Sequence, residues 1–139
     1  MMTLPYSPPP TRACSLPVTA QAIRAYAELT GDFNPLHLDE EFAASTPMGR
    51  VIAHGTLSLC LMWQWVHQSF PADAYKGLQL DVRFVKPVFV GDLLTAGGQP
   101  QAGKPHCWDV WVRAQDGSDR VAGELCMNPP HGQEPGESQ

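Results

Sequence analysis

Residues 55–68 read GTLSLCLMWQWVHQ, and this stretch decides the fold class. Its apolar side chains point in nearly every direction around a helical wheel, which predicts a helix that is apolar on all sides. Such a helix has to be buried on all sides, and in a chain of 139 residues only a sheet that curls around it can do that. We therefore expect the rest of the chain to supply a curved sheet.

The segments that follow the predicted helix have the period-two pattern of β-strands. Leu80 and Val82, for example, alternate with polar neighbours. We expect four antiparallel strands, at residues 78–84, 93–99, 107–114 and 120–128, with an Asp116-Gly117 turn joining the last two.

Shorter helices are expected before residue 55. One runs from Thr19, a suitable N-cap, to Gly31, a suitable C-terminal stop. Residues 32–38 are expected to form a short loop, and Asp39 opens a second, brief helix that ends near Thr46. Helices first and strands afterwards predict one α+β domain with a wrapped central helix.

The composition excludes several classes of protein. Nine Lys and Arg stand against fourteen Asp and Glu, a formal charge of −5, and no basic cluster is present, which argues against nucleic-acid binding. A content of 43% hydrophobic and 17% charged residues is typical of a packed globular core. The most apolar stretch, residues 51–66, is shorter than the ~20 residues of a membrane span, so no membrane partner is expected.

The two ends and the cysteines bear on organisation and location. Residues 1–10 and 129–139, both rich in proline, are predicted to be disordered tails around a single domain at residues 11–128. The cysteines at positions 14, 60, 107 and 126 show no metal-ligand spacing, so we expect reduced thiols and no metal site. With no signal-peptide pattern at the N-terminus, a cytoplasmic location is predicted.

Residues 31–37 read GDFNPLH and concentrate unusual residue types. Asn34 precedes a proline and is biased toward an extended conformation, so Asp32 and His37 flank a rigid turn and can converge as an acid–base pair. The alternative is a simple helix exit with an Asx-type turn and an exposed histidine.

The dipeptide His54-Gly55 opens the predicted buried helix. The first N–H groups of a helix lack intrahelical partners, and Gly55 has no side chain to block an oxyanion that approaches them. The alternative is that this glycine only relieves crowding where the chain enters the helix. An acid–base pair together with an oxyanion donor suits chemistry beside a thioester carbonyl.

Three stretches carry a resemblance to a known family. GDFNPLHLDEEFA at residues 31–43 and GRVIAHGTL at residues 49–57 resemble the hydratase signature of the MaoC-like family, which includes the (R)-specific enoyl-CoA hydratases. KPVFVGDLLTA at residues 86–96 also fits the family pattern, and the resemblance covers residues 12–128. It implies a hot-dog fold, in which a curved antiparallel sheet wraps a long helix, and a homodimer or a dimer of dimers.

The resemblance also implies an activity and its residues. Asp32 and His37 match the catalytic pair, and the N–H of Gly55 matches the donor that binds the thioester oxygen. The implied reaction is the reversible addition of water to a trans-2-enoyl thioester to give the (R)-3-hydroxyacyl thioester. The substrate is an acyl-CoA or acyl-carrier thioester, and neither a cofactor nor a metal is expected.

Substrate contacts are expected from Asn34, His54 and Trp63. Trp63 departs from the family pattern, because hydratases of the family commonly carry a small hydroxyl residue two turns after the glycine. An indole there is expected to shorten the acyl pocket and to exclude long straight chains. The alternative is that Trp63 is an ordinary core residue.

Two other functions compete with the hydratase hypothesis. An acyl-CoA thioesterase of the same fold would direct water at the thioester carbonyl, and the turn with both Asp32 and His37 argues against it. A non-catalytic acyl-binding subunit is favoured by Trp63 but opposed by the presence of the acid–base pair. Release of free thiol identifies the first, and binding without turnover identifies the second.

Overall fold

The computed structural model describes residues 14–127, which form a five-stranded antiparallel sheet packed against one long helix. The strands are β1 (Cys14–Pro17), β2 (Gln79–Phe84), β3 (Leu93–Pro100), β4 (Cys107–Arg113) and β5 (Asp119–Cys126), in the order β1-β3-β4-β5-β2. The helices are α1 (Ala20–Thr30), α2 (Pro35–Leu38), α3 (Glu40–Ala44) and α4 (Gly55–Ser69), and a 3-10 helix follows at Ala72–Tyr75. The predicted tails at residues 1–10 and 129–139 lie outside the described residues.

The predicted central helix and the four predicted strands are confirmed to within two residues at each end. The β4–β5 turn is confirmed as well, since Ala114 N–H donates to the Ser118 carbonyl and Gly117 has a φ of 83°. The caps of α1 are those expected: Thr19 accepts a hydrogen bond from the Ala22 N–H, and Gly31 has a φ of 77°.

Two local elements differ from the prediction. The edge strand β1 was not expected, and it pairs with β3 along Leu93 to Ala96. Residues 35–38 form the short helix α2 rather than a loop, because Asn34 accepts a hydrogen bond from the Leu36 N–H and Pro35 occupies the first turn, where its missing N–H costs nothing.

The cysteines do not all follow the prediction of reduced thiols. Cys107 and Cys126 are directly opposite on β4 and β5 and form a disulfide. The neighbouring hydrogen bond from the Met127 N–H to the His106 carbonyl leaves this pair at a non-hydrogen-bonded position, where facing side chains lie closest. The prediction was wrong for these two residues. Cys14 and Cys60 retain thiols.

Aromatic side chains join α4 to the sheet. Trp65 of α4 and Trp108 of β4 meet edge to face with ring centroids 6.5 Å apart, and Phe70 completes the cluster at 5.0 Å from Trp108. A Cβ at Gly98 would lie 2.7 Å from the Trp65 ring, so glycine at that point of β3 permits the contact. No helix within residues 14–127 is long and apolar enough to cross a membrane.

Burial covers one face of α4, so the predicted burial on all sides is wrong for the single chain. The sheet-facing positions are Ser58, Leu61, Met62, Trp65, Val66 and Ser69. On the opposite face Cys60, Gln64 and His67 are exposed, and Trp63 keeps 37% of its surface accessible.

Candidate active site

The turn between α1 and α2 holds the Asp32 carboxylate in place. The Asp32 N–H donates to the Thr30 hydroxyl, and Oδ1 of Asp32 accepts from the Asn34 N–H at 3.2 Å. Asn34 in turn caps α2 through its own side chain. This chain of local hydrogen bonds orients the carboxylate, which is exposed to solvent.

His37 is oriented by the segment that precedes α4. Its Nδ1 lies 2.8 Å from the Ile52 carbonyl, and because a carbonyl only accepts, Nδ1 carries the proton. In the neutral ring Nε2 is then the basic nitrogen. The Ile52 N–H reaches back to the Leu36 carbonyl, and Ile52 forms an isolated bridge with Phe89, so the turn is fastened to the segment before β3.

His54 lies underneath this pair and is only 2% exposed. Its Nε2 donates to the backbone carbonyl of Asp32 at 3.0 Å, and its ring stacks on His37 with centroids 3.9 Å apart. The other ring nitrogen, Nδ1, is buried without a hydrogen-bond partner in residues 14–127. His54 therefore joins the carboxylate turn to the imidazole of His37.

One ligand-type atom from each of Asp32, His37 and His54 lies within 4.8 Å of the other two. At that separation one water can bridge the Asp32 carboxylate and the His37 imidazole. The three could also ligate a metal ion, although each histidine already gives one nitrogen to a carbonyl. The other such cluster in the described chain is Cys107, Glu124 and Cys126, and its two sulfurs are bonded to each other.

Gly55 begins α4 directly after His54. No side chain caps this helix, so its first N–H groups point out of the N-terminus with the positive end of the helix dipole. A Cβ at Gly55 would lie 2.9 Å from the ring of Phe84, a contact that real Cβ atoms do not make without a shift. A larger residue here would displace the exposed Phe84 ring, so glycine relieves crowding at the start of the helix, and it also leaves the N–H open.

Tyr26 of α1 covers the other side of His54, with the two rings edge to face and 5.0 Å apart. Its hydroxyl donates to Oγ1 of Thr56 in the first turn of α4 at 2.8 Å. Burial raises the pKa of Tyr26 above its ordinary value of 10.0, and the nearby Cys60 thiol and Asp32 carboxylate raise it further. The phenol thus stays neutral and keeps its hydrogen bond over a wider pH range.

A cavity of about 280 Å³ opens beside Gly55, between the start of α4 and the segment at residues 84–88. Its lining is largely apolar, and it includes Phe84 and one buried hydroxyl, that of Ser58. Trp63 does not line this cavity.

The structure brings together three of the six site residues that the sequence singled out, Asp32, His37 and His54, and Gly55 follows His54 as the first residue of α4. Asn34 contributes its side chain to the cap of α2, and Trp63 lies on the opposite face of α4. Sequence reasoning missed Ser58 as a cavity residue. Its spacing of three residues from Gly55, which places both on one helical stripe, is the signal that could have found it.

A long helix held against a curved five-stranded antiparallel sheet is the hot-dog fold. The solved structure titled "(R)-hydratase from A. caviae involved in PHA biosynthesis" has the same architecture. It matches with a TM-score of 0.68 at 31% identity, covering 94% of this chain and 100% of that one.

Residues 6–120 match the family model described as a MaoC like domain, so the chain belongs to the MaoC-like family. It is 44% identical over 77 residues to the (R)-specific enoyl-CoA hydratase of Aeromonas caviae, covering 55% of this chain and 58% of that protein. It is 37% identical over 84 residues to the 3-hydroxyacyl-thioester dehydratase Z of Mycobacterium tuberculosis, covering 57% and 55%. The matches thus span less than two thirds of these curated relatives, whose names support an enzyme of the hydratase and dehydratase class.

Proposed function

We propose that the protein is a hydro-lyase that reversibly adds water to a trans-2-enoyl thioester and forms the (R)-3-hydroxyacyl thioester. The observation that carries this proposal is the convergence of Asp32 and His37 within 4.8 Å, on top of the histidine that directly precedes Gly55. The names of the two curated relatives support the same class of reaction.

Water activation falls to Asp32 and His37 in this scheme. Both groups are acceptors, the carboxylate through its oxygens and the neutral imidazole through Nε2, so a water held between them is polarised from two sides. Attack of its oxygen on C3 transfers a proton to the pair, and the pair returns a proton to C2 on the same face. Dehydration is the same sequence in reverse.

The negative charge that develops on the thioester oxygen needs a donor, and the N–H of Gly55 supplies it. The N–H lies at the positive end of a 15-residue helix, which favours an anion there. Removal of one such donor typically costs about 3 kcal/mol of transition-state stabilisation. A base, an acid and an oxyanion donor suffice for the reaction, so we propose that it uses no cofactor or metal and that the thioester enters as substrate.

His54 and Asn34 act through other groups in this proposal. His54 is too deeply buried to reach substrate readily, and it positions the Asp32 backbone and the His37 ring. Asn34 holds the turn that presents the Asp32 carboxylate. This replaces the expectation of direct substrate contact with a positioning role.

We further propose a homodimer in which a second copy covers the exposed face of α4. Large apolar side chains remain exposed there and nearby, among them Trp63 and Phe84, the latter with 57% of its surface accessible. Exposed apolar patches of this kind commonly mark protein interfaces. The cytoplasmic location stays a prediction.

The direct test is the loss of absorbance of the enoyl-thioester band when purified protein meets enoyl-CoAs of four to eight carbons. Asp32→Asn keeps the shape of the side chain but removes the base, so turnover should fall at least ~10²-fold, and His37→Ala should do the same. Asp73→Asn and His67→Ala, which change the same residue types outside the site, should keep parental turnover.

Parental turnover in both site variants would show the assignment to be wrong. A thiol reagent in the same assay distinguishes a thioesterase from a hydratase, because hydrolysis releases CoA thiol whereas hydration leaves the thioester intact. Binding of enoyl-CoA with neither absorbance loss nor thiol release would favour the non-catalytic subunit.

A further inference from the structure

Three polar side chains line the cavity beside Gly55 without a role in the proposed chemistry: Ser58, Arg120 and Lys86, the last of which is exposed to solvent. Ser58 is 1% exposed, yet it lines the cavity among predominantly apolar residues. Arg120, a charged residue of the same lining, is already compensated, because it lies 3.2 Å from the Asp92 carboxylate and donates to the Pro87 carbonyl. Ser58 has no comparable partner.

A hydroxyl in a helix can turn back to bond the backbone. Thr30, at the end of α1, donates to the Tyr26 carbonyl at 2.8 Å. The Ser58 hydroxyl makes no such bond within residues 14–127, and it borders the open cavity. A ligand that covers this hydroxyl without bonding to it takes it out of water unpaired, which is unfavourable, whereas a ligand oxygen can supply the hydrogen bond. The hydroxyl is thus available to a ligand in the cavity.

The position of Ser58 on α4 indicates which part of a ligand it meets. Three residues after Gly55, it lies about 4.5 Å further along the helix axis and about 60° around it. Trp63, eight residues after Gly55, lies about 80° around in the other direction. With the thioester oxygen at the Gly55 N–H, a chain that follows the Ser58 side passes the hydroxyl about three or four carbon–carbon bonds beyond the carbonyl carbon.

We infer that Ser58 is a specificity-determining residue, and that the preferred substrates are 2-enoyl thioesters with an oxygen substituent near the fourth or fifth carbon of the acyl chain. This inference rests on the proposed function, because it takes the Gly55 N–H as the anchor of the thioester. A hydroxyl or carbonyl oxygen at that distance completes the hydrogen bonding of Ser58, whereas a plain alkyl chain leaves it unpaired.

Calorimetric binding of two saturated, unreactive thioesters tests the inference: 5-hydroxyhexanoyl-CoA and hexanoyl-CoA. The parental protein should bind the hydroxylated compound about fivefold to tenfold more tightly, as one net hydrogen bond allows. Ser58→Ala should abolish that preference. Ser69→Ala is the matched control, since Ser69 lies on the same face of α4 and is 2% exposed but does not line the cavity.

A kinetic measurement shows whether the effect is one of specificity. With the corresponding 2-enoyl substrates, the preference should appear in KM, because the Ser58 hydroxyl contacts an oxygen on a carbon that does not react and therefore binds ground state and transition state alike. Equal affinities in the parental protein, or a preference that survives Ser58→Ala, would overturn the inference. Turnover of crotonyl-CoA, which has no fifth carbon, reports separately on the proposed function, so the two failures can be distinguished.

Discussion

The two faces of α4 differ in composition and in surroundings. The face toward the sheet carries Met62 and Trp65 at 0% and 5% exposure, whereas the opposite face leaves Trp63 at 37%. The opposite face places Trp63 among the polar residues Gln64 and His67, so a single large apolar side chain is left without cover there. A large apolar side chain such as Trp63 indicates a need for a partner surface, but the sequence does not say which surface covers it.

The largest expected loss of stability comes from truncating a side chain on the sheet-facing side of α4. Met62→Ala removes a completely buried side chain, so the free energy of unfolding should fall by about 2–5 kcal/mol from lost burial and the remaining cavity. Gln64→Ala, two residues later on the exposed face, should change it by less than about 0.5 kcal/mol. Urea denaturation of both variants measures the difference, and equal losses would contradict the assignment of the two faces.

Trp63→Ser probes the opposite face and should have a smaller effect on the chain itself. We expect the free energy of unfolding of the dilute monomer to fall by about 1 kcal/mol, while the proposed dimer weakens about tenfold or more, as truncation of an interface tryptophan commonly does. Sedimentation across a range of concentrations measures self-association.

The acyl chain-length profile should stay unchanged in Trp63→Ser, because the indole does not line the cavity. A shift of the substrate preference toward longer enoyl-CoAs would instead support the prediction from the sequence that Trp63 fills part of the acyl pocket. A loss of several kcal/mol in the monomer would instead identify Trp63 as a core residue.

The smallest loss of stability is expected from a substitution at Tyr26, which packs near the N-terminal part of the exposed face of α4. Tyr26→Phe removes the hydrogen bond to Thr56 and should cost about 1 kcal/mol or less at neutral pH. Since the folded pKa of Tyr26 lies above the unfolded value of 10.0, its contribution is complete below pH 10.0 and is lost as the pH rises through the folded pKa.

Tyr26→Phe should therefore flatten the alkaline decline of stability above pH 10.0. Denaturation at pH 7 and at successive alkaline pH values measures this decline. Tyr75→Phe is the matched control, and it should keep the parental decline because Tyr26 is intact. An identical decline in the Tyr26→Phe variant would contradict the prediction.

Local pattern made most of the fold predictable. Period-two alternation located four strands, and the caps Thr19 and Gly31 located α1, because these signals depend on neighbouring residues alone. Strand β1 was not predicted, because four residues ending in a proline are too few to show a period-two pattern. Helix α2 was not predicted, because Asn34 and Pro35 are equally suited to a turn and to the start of a helix.

The candidate site was predictable where residues are close in sequence and unpredictable where packing decides. Asp32 and His37 lie on one short turn, so their convergence follows from local geometry. The stack of His54 on His37 and the contact of Phe84 with Gly55 join segments distant in sequence. Trp63 was assigned to the pocket from the approximate spacing of the helix, and a rotation of about 140° between it and Ser58 decides which one lines the cavity.

The Cys107–Cys126 bond has a consequence for how the β4–β5 hairpin comes apart. The turn at Asp116-Gly117 closes one end of the hairpin and the disulfide closes the other, so residues 107–126 form a covalent ring. The ring cannot fray from its open end while the sulfurs are joined. A protease cut in the turn would leave both halves of the molecule attached, and they would separate on a denaturing gel only after reduction.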